Sequence, residues 1–123
     1  MTGSILVVED SPTERQLIRK MLEDKGYRVA EAADGNAALA AVQREKPALL
    51  LLDVVLPGPN GFQICRQLKS SPETRDIRIV LVSSKNQEAD RFWGLKQGAD
   101  EYLVKPFKSE ELLASVRRQL VTS

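Results

Sequence analysis

The segment LLLLDVVLPGPNG, Leu49–Gly61, is the most informative part of the sequence, because an unbroken apolar run in it stops at a charged residue. Four consecutive leucines lack the polar alternation of a half-exposed strand, so they are typical of a strand buried on both faces of a parallel sheet. The run ends directly in a carboxylate, Asp53, and a loop rich in proline and glycine follows. A charged group at the edge of an apolar core costs free energy unless it is paired or bound to a cation. The segment therefore indicates a functional role for Asp53.

The rest of the chain alternates short apolar runs with amphipathic stretches. The apolar runs predict five strands: Ile5–Val8, Arg28–Ala32, Ala48–Leu52, Ile77–Val82 and Tyr102–Val104. The other stretches predict five helices: one from Pro12 that ends at Gly26, then Asn36–Glu45, Gly61–Lys69, Glu88–Gln97, and one from Ser109 to Leu120. This strict alternation predicts an α/β class, with a doubly wound, mostly parallel five-stranded sheet and five helices. We expect a single domain over residues 1–123, without an output domain.

Capping residues mark where several of these helices begin. In the segment SPTE, Ser11 is typical of an N-cap, Pro12 of the first helical position and Glu14 of a capping box. Asn60 and Ser109 precede two further helical stretches and are expected to cap them. The first helix is expected to bury one face, formed by Leu17, Ile18, Met21 and Leu22.

Composition and charge exclude several classes of function. With 18 Lys and Arg against 17 Asp and Glu, the net charge gives no reason to expect nucleic acid or an anionic membrane as partner. Histidine is absent, so the chain has no imidazole base, no zinc–histidine site and no phosphohistidine of its own. The single cysteine, Cys65, is expected to be a buried, inert thiol. No signal peptide or membrane-spanning run is evident, so we expect a cytoplasmic protein.

Chemically active side chains follow four of the predicted strands, and ligands of such folds bind at the carboxyl ends of strands. Glu9 and Asp10 follow the first strand, Asp53 the third, Ser83 the fourth and Lys105 the fifth. Clustered carboxylates repel one another unless a cation lies among them, and an all-oxygen ligand set suits Mg²⁺. Asp53 is then a plausible nucleophile towards phosphorus, with Lys105 and the Ser83 hydroxyl holding the phosphoryl oxygens.

Each of these residues also has an ordinary structural interpretation. Asp10 can serve as a favourable charge at a helix N-terminus, Lys105 as a solvated lysine and Ser83 as a turn residue. The joint placement of all of them at successive strand ends favours the functional interpretation.

Four segments carry a resemblance to a known family: VVEDSP (Val7–Pro12), LLDVVLPGPNG (Leu51–Gly61), VLVSS (Val80–Ser84) and GADEYLVKPF (Gly98–Phe107). With these segments in order, the chain resembles the receiver domain of two-component response regulators, the family typified by the chemotaxis protein CheY. The resemblance covers essentially the whole chain. It implies a flavodoxin-like, CheY-like sheet with strand order 2-1-3-4-5.

The resemblance also implies a role for each site residue. Asp53 is expected to be the phosphoacceptor. Asp10, Asp53 and the backbone carbonyl of Val55 are expected to coordinate Mg²⁺, or alternatively Mn²⁺, with Glu9 reaching the metal through water. Lys105 is expected to contact the phosphoryl group, and the Lys105–Pro106 peptide to be cis.

In the same family logic, Ser83 is the switch hydroxyl and Tyr102 the aromatic switch residue. Phosphorylation is expected to draw Ser83 inward and to let Tyr102 rotate in, which changes the surface formed by helix 4, strand 5 and helix 5. Two departures, Val55 and Lys85, stand where some fast-hydrolysing members carry a polar and an acidic residue. They predict slow autodephosphorylation.

The expected partners follow from the family and from the absence of histidine. The phosphoryl donor must be a phosphohistidine on a sensor histidine kinase or a histidine phosphotransfer protein, and the target a protein that binds the helix 4/strand 5/helix 5 surface. The segments EDSPTERQLI and DRFWGLKQGADEYLVKP, which includes Trp93, are similar to stand-alone receivers of type IV pilus pathways, in twitching or phototactic motility. Trp93 itself is expected either to pack at the edge of the core or to face a partner.

Rival functions lack the residues that they need. A phosphatase of the haloacid dehalogenase type needs a second aspartate two positions after the nucleophile, where this chain has Val55, so turnover of external substrates is not expected. A flavin-binding module would meet carboxylates where it needs a phosphate loop, and DNA binding has no basic surface to support it. The remaining alternative is a receiver-fold protein-binding module that works without phosphorylation.

Overall fold

Strands and helices alternate along the chain as the sequence predicts. The structure, a computed structural model, describes residues 3–121; residues 1, 2, 122 and 123 of the expected domain lie outside the described residues. The strands are β1 (Ile5–Val8), β2 (Val29–Ala32), β3 (Leu49–Asp53), β4 (Arg78–Ser83) and β5 (Glu101–Val104). The helices are α1 (Pro12–Glu23), α2 (Gly35–Arg44), α3 (Gly61–Lys69), α4 (Glu88–Lys96) and α5 (Ser109–Val121). The end of α1 differs from the predicted one by three residues, and the other bounds differ by one residue or none.

The five strands form one parallel sheet in the order β2-β1-β3-β4-β5. This confirms the predicted α/β class, the doubly wound sheet and the order 2-1-3-4-5. The winding reverses between β1 and β3, and in such sheets the crevice at the reversal point is where ligands bind.

The leucine run of β3 contributes to the cores on both sides of the sheet. Leu49 and Leu51 join the apolar cluster that includes residues of α1 and α5, whereas Leu50 and Leu52 join the cluster that includes residues of α2 and α3. Each of the four is at most 1% exposed. Burying a leucine side chain contributes about 1.5–3 kcal/mol, so β3 is fixed firmly in the centre of the molecule. The residue at its carboxyl end is therefore held on a rigid element.

The helix-start signals are confirmed in part. The Oγ of Ser11 accepts a hydrogen bond from the backbone N–H of Glu14 at 3.3 Å, so Ser11 is the N-cap of α1. The predicted capping box is wrong, because the N–H of Ser11 donates to Glu9 Oε2 at 3.1 Å and the Glu14 carboxylate binds Lys105 instead. Asn60 caps α3 as predicted, in a complete capping box with Gln63.

Two further expectations are corrected. Ser109 is the first residue of α5 and not its cap. The cap position belongs to Lys108, whose carbonyl accepts the first helical hydrogen bonds and whose N–H donates to Glu111 Oε1 at 2.8 Å. In α1, Ile18 and Leu22 are buried one turn apart, whereas Leu17 is 54% exposed because it lies about 100° round the helix from Ile18. Within residues 3–121, no helix has the length and apolar character that crossing a bilayer requires.

Cys65 is buried in α3, as the sequence predicts. Burial raises the pKa of its thiol to about 11, and its Sγ lies 3.6 Å from the carbonyl oxygen of Gln97. A thiol with so high a pKa is protonated at neutral pH and is a poor nucleophile. The thiol therefore has a packing role.

Candidate functional site

The parallel register aligns the ends of the central strands. Val8 pairs with Leu52 in the β1–β3 ladder, so Glu9 emerges beside Asp53, the last residue of β3. Oxygens of Glu9, Asp10 and Asp53 all lie within 4.8 Å of one another. The structure thus brings Asp53 beside two acidic residues, Glu9 and Asp10, that lie more than forty positions earlier in the sequence.

The three carboxylates differ in their surroundings. Glu9 and Asp53 are only 3% and 7% exposed, whereas Asp10 is exposed to solvent. Burial first and the neighbouring Asp53 second raise the pKa of Glu9, Lys105 and the backbone of Ser11 oppose them, and the net result is a pKa of about 7. The negative charge of this cluster is therefore only partly compensated. A set of carboxylate oxygens such as this one suits a hard divalent cation.

Lys105 brings a positive charge into the cluster from the residue after β5. Its Nζ donates to Glu9 Oε1 at 2.6 Å, to Asp53 Oδ2 at 2.8 Å and to Glu14 Oε1 at 2.7 Å. Burial alone would lower the pKa of this ammonium, but hydrogen bonds to the three carboxylates outweigh burial and raise it. Lys105 is therefore charged at every physiological pH. The Lys105–Pro106 peptide is cis, as the resemblance implies.

Two hydrogen bonds orient the Asp53 carboxylate. Its Oδ1 accepts from the backbone N–H of Val55 at 3.0 Å, and its Oδ2 accepts from Lys105. The loop after Asp53 is held close by Gly61, whose N–H donates to the carbonyl of Val54 at 2.9 Å. A Cβ at Gly61 would lie 2.4 Å from the carbonyl oxygen of Asp53, so this approach requires glycine. The Val55 side chain is exposed beside Asp53, and metal binding by its carbonyl stays a prediction.

Ser83 and Tyr102, the predicted switch residues, meet at the loop between β4 and α4. The Oγ of Ser83, which is fully buried, accepts from the N–H of Lys85 at 3.0 Å. The Tyr102 hydroxyl donates to the carbonyl oxygen of the same Lys85 at 2.8 Å, and burial raises the pKa of this hydroxyl. The Tyr102 ring is buried already, so no inward rotation is needed from this conformation. The switch roles of both residues stay predictions.

Arg15 and Glu14 are residues of this site that the sequence analysis did not identify as such. Arg15 Nη1 donates to the carbonyl oxygen of Glu9 at 2.8 Å, and its Nε donates to Glu31 Oε1 on β2 at 2.7 Å. Arg15 therefore ties the backbone beside the acidic cluster to the edge of the sheet. Their place in the sequence is the only feature that could have identified them as site residues, because both lie in the first turn of the helix that follows Glu9 and Asp10.

Comparison with known proteins places this geometry in a family. The chain matches the family model of the response regulator receiver domain over residues 5–117. Protein PilH of Pseudomonas aeruginosa is 45% identical over 116 residues, which cover 94% of this chain and 96% of PilH. The response regulator PleD of Caulobacter vibrioides is 42% identical over 117 residues, and the chain spans 26% of the length of PleD.

Solved structures give the same result. The chemotaxis protein CheY4 of Vibrio cholerae matches with a TM-score of 0.90 and 32% identity, over 98% of this chain and 100% of that chain. The receiver domain of the sensor histidine kinase PA1611 of Pseudomonas aeruginosa matches with a TM-score of 0.90 and 32% identity, over 99% of this chain and 100% of that chain. That structure has a magnesium ion coordinated in its active site cleft. The carboxylate cluster and its lysine lie at the carboxyl edge of a sheet with strand order 2-1-3-4-5, and the chain belongs to the family of response regulator receiver domains.

Proposed function

We propose that this chain is a phosphorylation switch of a two-component pathway, with Asp53 as the phosphoacceptor. The observation that carries the proposal is the position of Asp53 at the end of a buried strand, with one oxygen held by a backbone N–H and the other by the Lys105 ammonium. Phosphoryl transfer needs mainly positioning and neutralisation of charge, and this arrangement supplies both.

In the proposed reaction, an oxygen of Asp53 forms a bond to phosphorus while the bond between phosphorus and the donor's leaving atom breaks. The electron pair of the broken bond leaves with the donor, which is the imidazole of a phosphohistidine on a sensor histidine kinase or a histidine phosphotransfer protein. Lys105 balances the charge that accumulates on the phosphoryl oxygens. Glu9, Asp10 and Asp53 would hold Mg²⁺, which when bound neutralises charge on the carboxylate and the phosphoryl group.

The proposed chemistry is directed at the protein itself. The chain accepts one phosphoryl group and hydrolyses it slowly, because the side chain of Val55 is apolar and that of Lys85 has no acceptor for a hydrogen bond from an attacking water. It is not expected to turn over an external substrate. We expect it to act in the cytoplasm, where its kinase would donate the phosphoryl group.

The proposed output surface comprises α4, β5 and α5. Phe92, Trp93 and Leu95 of α4 are 65%, 50% and 43% exposed, an unusual concentration of large apolar side chains on one short helix. Similarity to PilH supports a target in pilus-driven motility. We propose that phosphorylation at Asp53 changes how this surface is presented to a partner protein.

Intact mass after incubation with acetyl phosphate and Mg²⁺ tests the proposal. We expect the mass of one phosphoryl group to be added, to require Mg²⁺, and to be absent in Asp53→Asn, which keeps the shape of the side chain but removes the nucleophile. If the wild-type chain binds Mg²⁺ but neither acetyl phosphate nor a phosphohistidine donor labels it, the proposal is wrong. The alternative, a receiver-fold binding module independent of phosphorylation, would then be favoured.

A further inference from the structure

The Lys105 ammonium has no hydrogen-bond donor to spare for an incoming group. An ammonium carries three N–H donors, and Lys105 directs them to Glu9, Asp53 and Glu14 at 2.6–2.8 Å. A phosphoryl oxygen that binds this ammonium must therefore displace one of the three carboxylates. The carboxylate that is displaced most easily is the one whose contact with Lys105 water can replace.

The exposure of the three side chains identifies Glu14. The side chains of Glu9 and Asp53 are 4% and 9% exposed, whereas that of Glu14 is 49% exposed. A buried carboxylate that loses its partner pays a large desolvation penalty, while an exposed one is hydrated at once. The donor that now points at Glu14 is therefore the one that a phosphoryl oxygen can take.

Glu14 is held at this position by its own helix. Its backbone N–H is bound by the Ser11 cap at the first turn of α1, and its carboxylate reaches across 91 positions of sequence to Lys105. The resemblance to receiver domains assigns no role to Glu14, and the capping-box contact that the sequence predicts for its side chain is not formed.

We infer that Glu14 is a positioning residue that holds Lys105 until a phosphoryl group arrives, and thereby slows the phosphorylation of Asp53. This inference rests on the proposed function. In the step concerned, the bond from Asp53 to phosphorus forms as the bond from phosphorus to acetate oxygen breaks, and acetate leaves with the electron pair. Lys105 exchanges its Glu14 contact for a phosphoryl oxygen, and no covalent bond to Glu14 or Lys105 is made or broken.

The test compares the rate of labelling of the full chain by acetyl phosphate and Mg²⁺ in the wild type and in Glu14→Gln. The amide keeps the size of the side chain but removes its charge, so the contact with Lys105 weakens and the rate is expected to rise about two- to fivefold, the range of an exposed ion pair. Because salt screens such a pair, the difference between the two proteins is expected to shrink between 50 and 500 mM salt. A merely structural role would not give this salt dependence.

Two further variants make the test specific. Glu110→Gln removes the same charge from the first turn of α5, at an exposed residue, and is expected to label at the wild-type rate. Glu14→Asp keeps the charge on a side chain one carbon shorter, which withdraws the carboxylate from the 2.7 Å contact with Lys105. It is therefore expected to label as fast as Glu14→Gln.

The outcomes separate this inference from the proposed function. If wild type is labelled and Glu14→Gln has the same rate or a lower one, the inference is overturned and the proposed function stands. If Glu14→Asp labels at the wild-type rate while Glu14→Gln is fast, general repulsion of the anionic donor explains the effect, and the positioning role is overturned. If no donor labels the wild type, the proposed function and this inference are both wrong. Thermal unfolding of each variant shows whether it is folded.

Discussion

Burial and the nearby Asp53 both favour the protonated form of the Glu9 carboxylate. Glu9 has a pKa of about 7 in the folded protein, against an ordinary value of 4.5 for a glutamate. Between these two pH values the folded protein retains a proton that the unfolded chain has released. Raising the pH through this window therefore favours unfolding, and outside it the contribution of Glu9 does not change with pH.

We predict that the metal-free protein loses about 3 kcal/mol of stability through Glu9 as the pH rises from about 4.5 to about 7. Glu9→Gln cannot ionise, so its stability is expected to lack this part of the pH dependence. Urea unfolding of both proteins between pH 4.5 and 8, with a chelator present, measures the difference. Parallel stability curves for the two proteins would contradict the pKa assigned to Glu9.

At the scale of the element, α1 is joined to the sheet by charged contacts as well as by its apolar face. Arg15 bridges the carbonyl of Glu9 and the carboxylate of Glu31, and Arg19 binds the same Glu31 without contacting Glu9. The hydrogen bonds of Arg19, followed by those of Arg15, lower the pKa of Glu31 against the opposing effect of burial. The two arginines therefore share one partner, but only Arg15 reaches the backbone of the acidic cluster.

We predict that Arg15→Ala weakens Mg²⁺ binding, because the loop that carries Glu9 and Asp10 loses the hydrogen bond that fixes its backbone. A charged hydrogen bond to a partly buried carbonyl is worth about 1.5–3 kcal/mol, and part of this loss is expected in the metal affinity. The matched control is Arg19→Ala, which breaks the ion pairs with Glu23 and Glu31 on the surface and should leave the affinity unchanged. The rise in unfolding temperature with added Mg²⁺ reports the affinity. Equal effects of the two variants would exclude this role of Arg15.

At the scale of the whole molecule, the site and α4 are linked through the loop around Lys85. The hydroxyl of Ser83 accepts from the N–H of Lys85 and the hydroxyl of Tyr102 donates to its carbonyl, so both predicted switch residues bind the backbone of the same residue shortly before α4. If Ser83 turns its hydroxyl to a phosphoryl oxygen, the N–H of Lys85 loses its acceptor and the start of α4 is released. The apolar surface of α4 then changes its position relative to β5.

Trp93 is the only tryptophan of the chain, and its position on α4 makes it a reporter of this change. We predict that its fluorescence emission changes when acetyl phosphate and Mg²⁺ are added to the wild type, and that it does not change in Asp53→Asn. Mass measured on the same samples shows how much protein is phosphorylated. Full phosphorylation without any change in emission would argue against movement of α4.

The sequence by itself determined the class of the fold and most of the site. The relevant signals are local properties of the sequence: apolar runs without polar alternation, amphipathic stretches between them, and capping residues. They are enough to predict five strands, five helices and a parallel sheet. The same logic predicts Asp53 and Lys105 as site residues, because the ends of parallel strands meet at one edge whatever the details of packing.

Only the tertiary structure decided which side chains contact one another at that edge. Glu14 has the sequence context of a capping-box residue, yet its carboxylate binds Lys105, 91 positions away, because the Lys105 side chain extends from the end of β5 to Glu9 and Asp53 beside the first turn of α1. Arg15 binds the carbonyl of Glu9 and the carboxylate of Glu31 because α1 packs beside β1 and β2, and Leu17 is exposed because only one narrow face of α1 meets the sheet. Local patterns record the preferences of neighbouring residues, whereas these contacts depend on distances between elements that only packing sets.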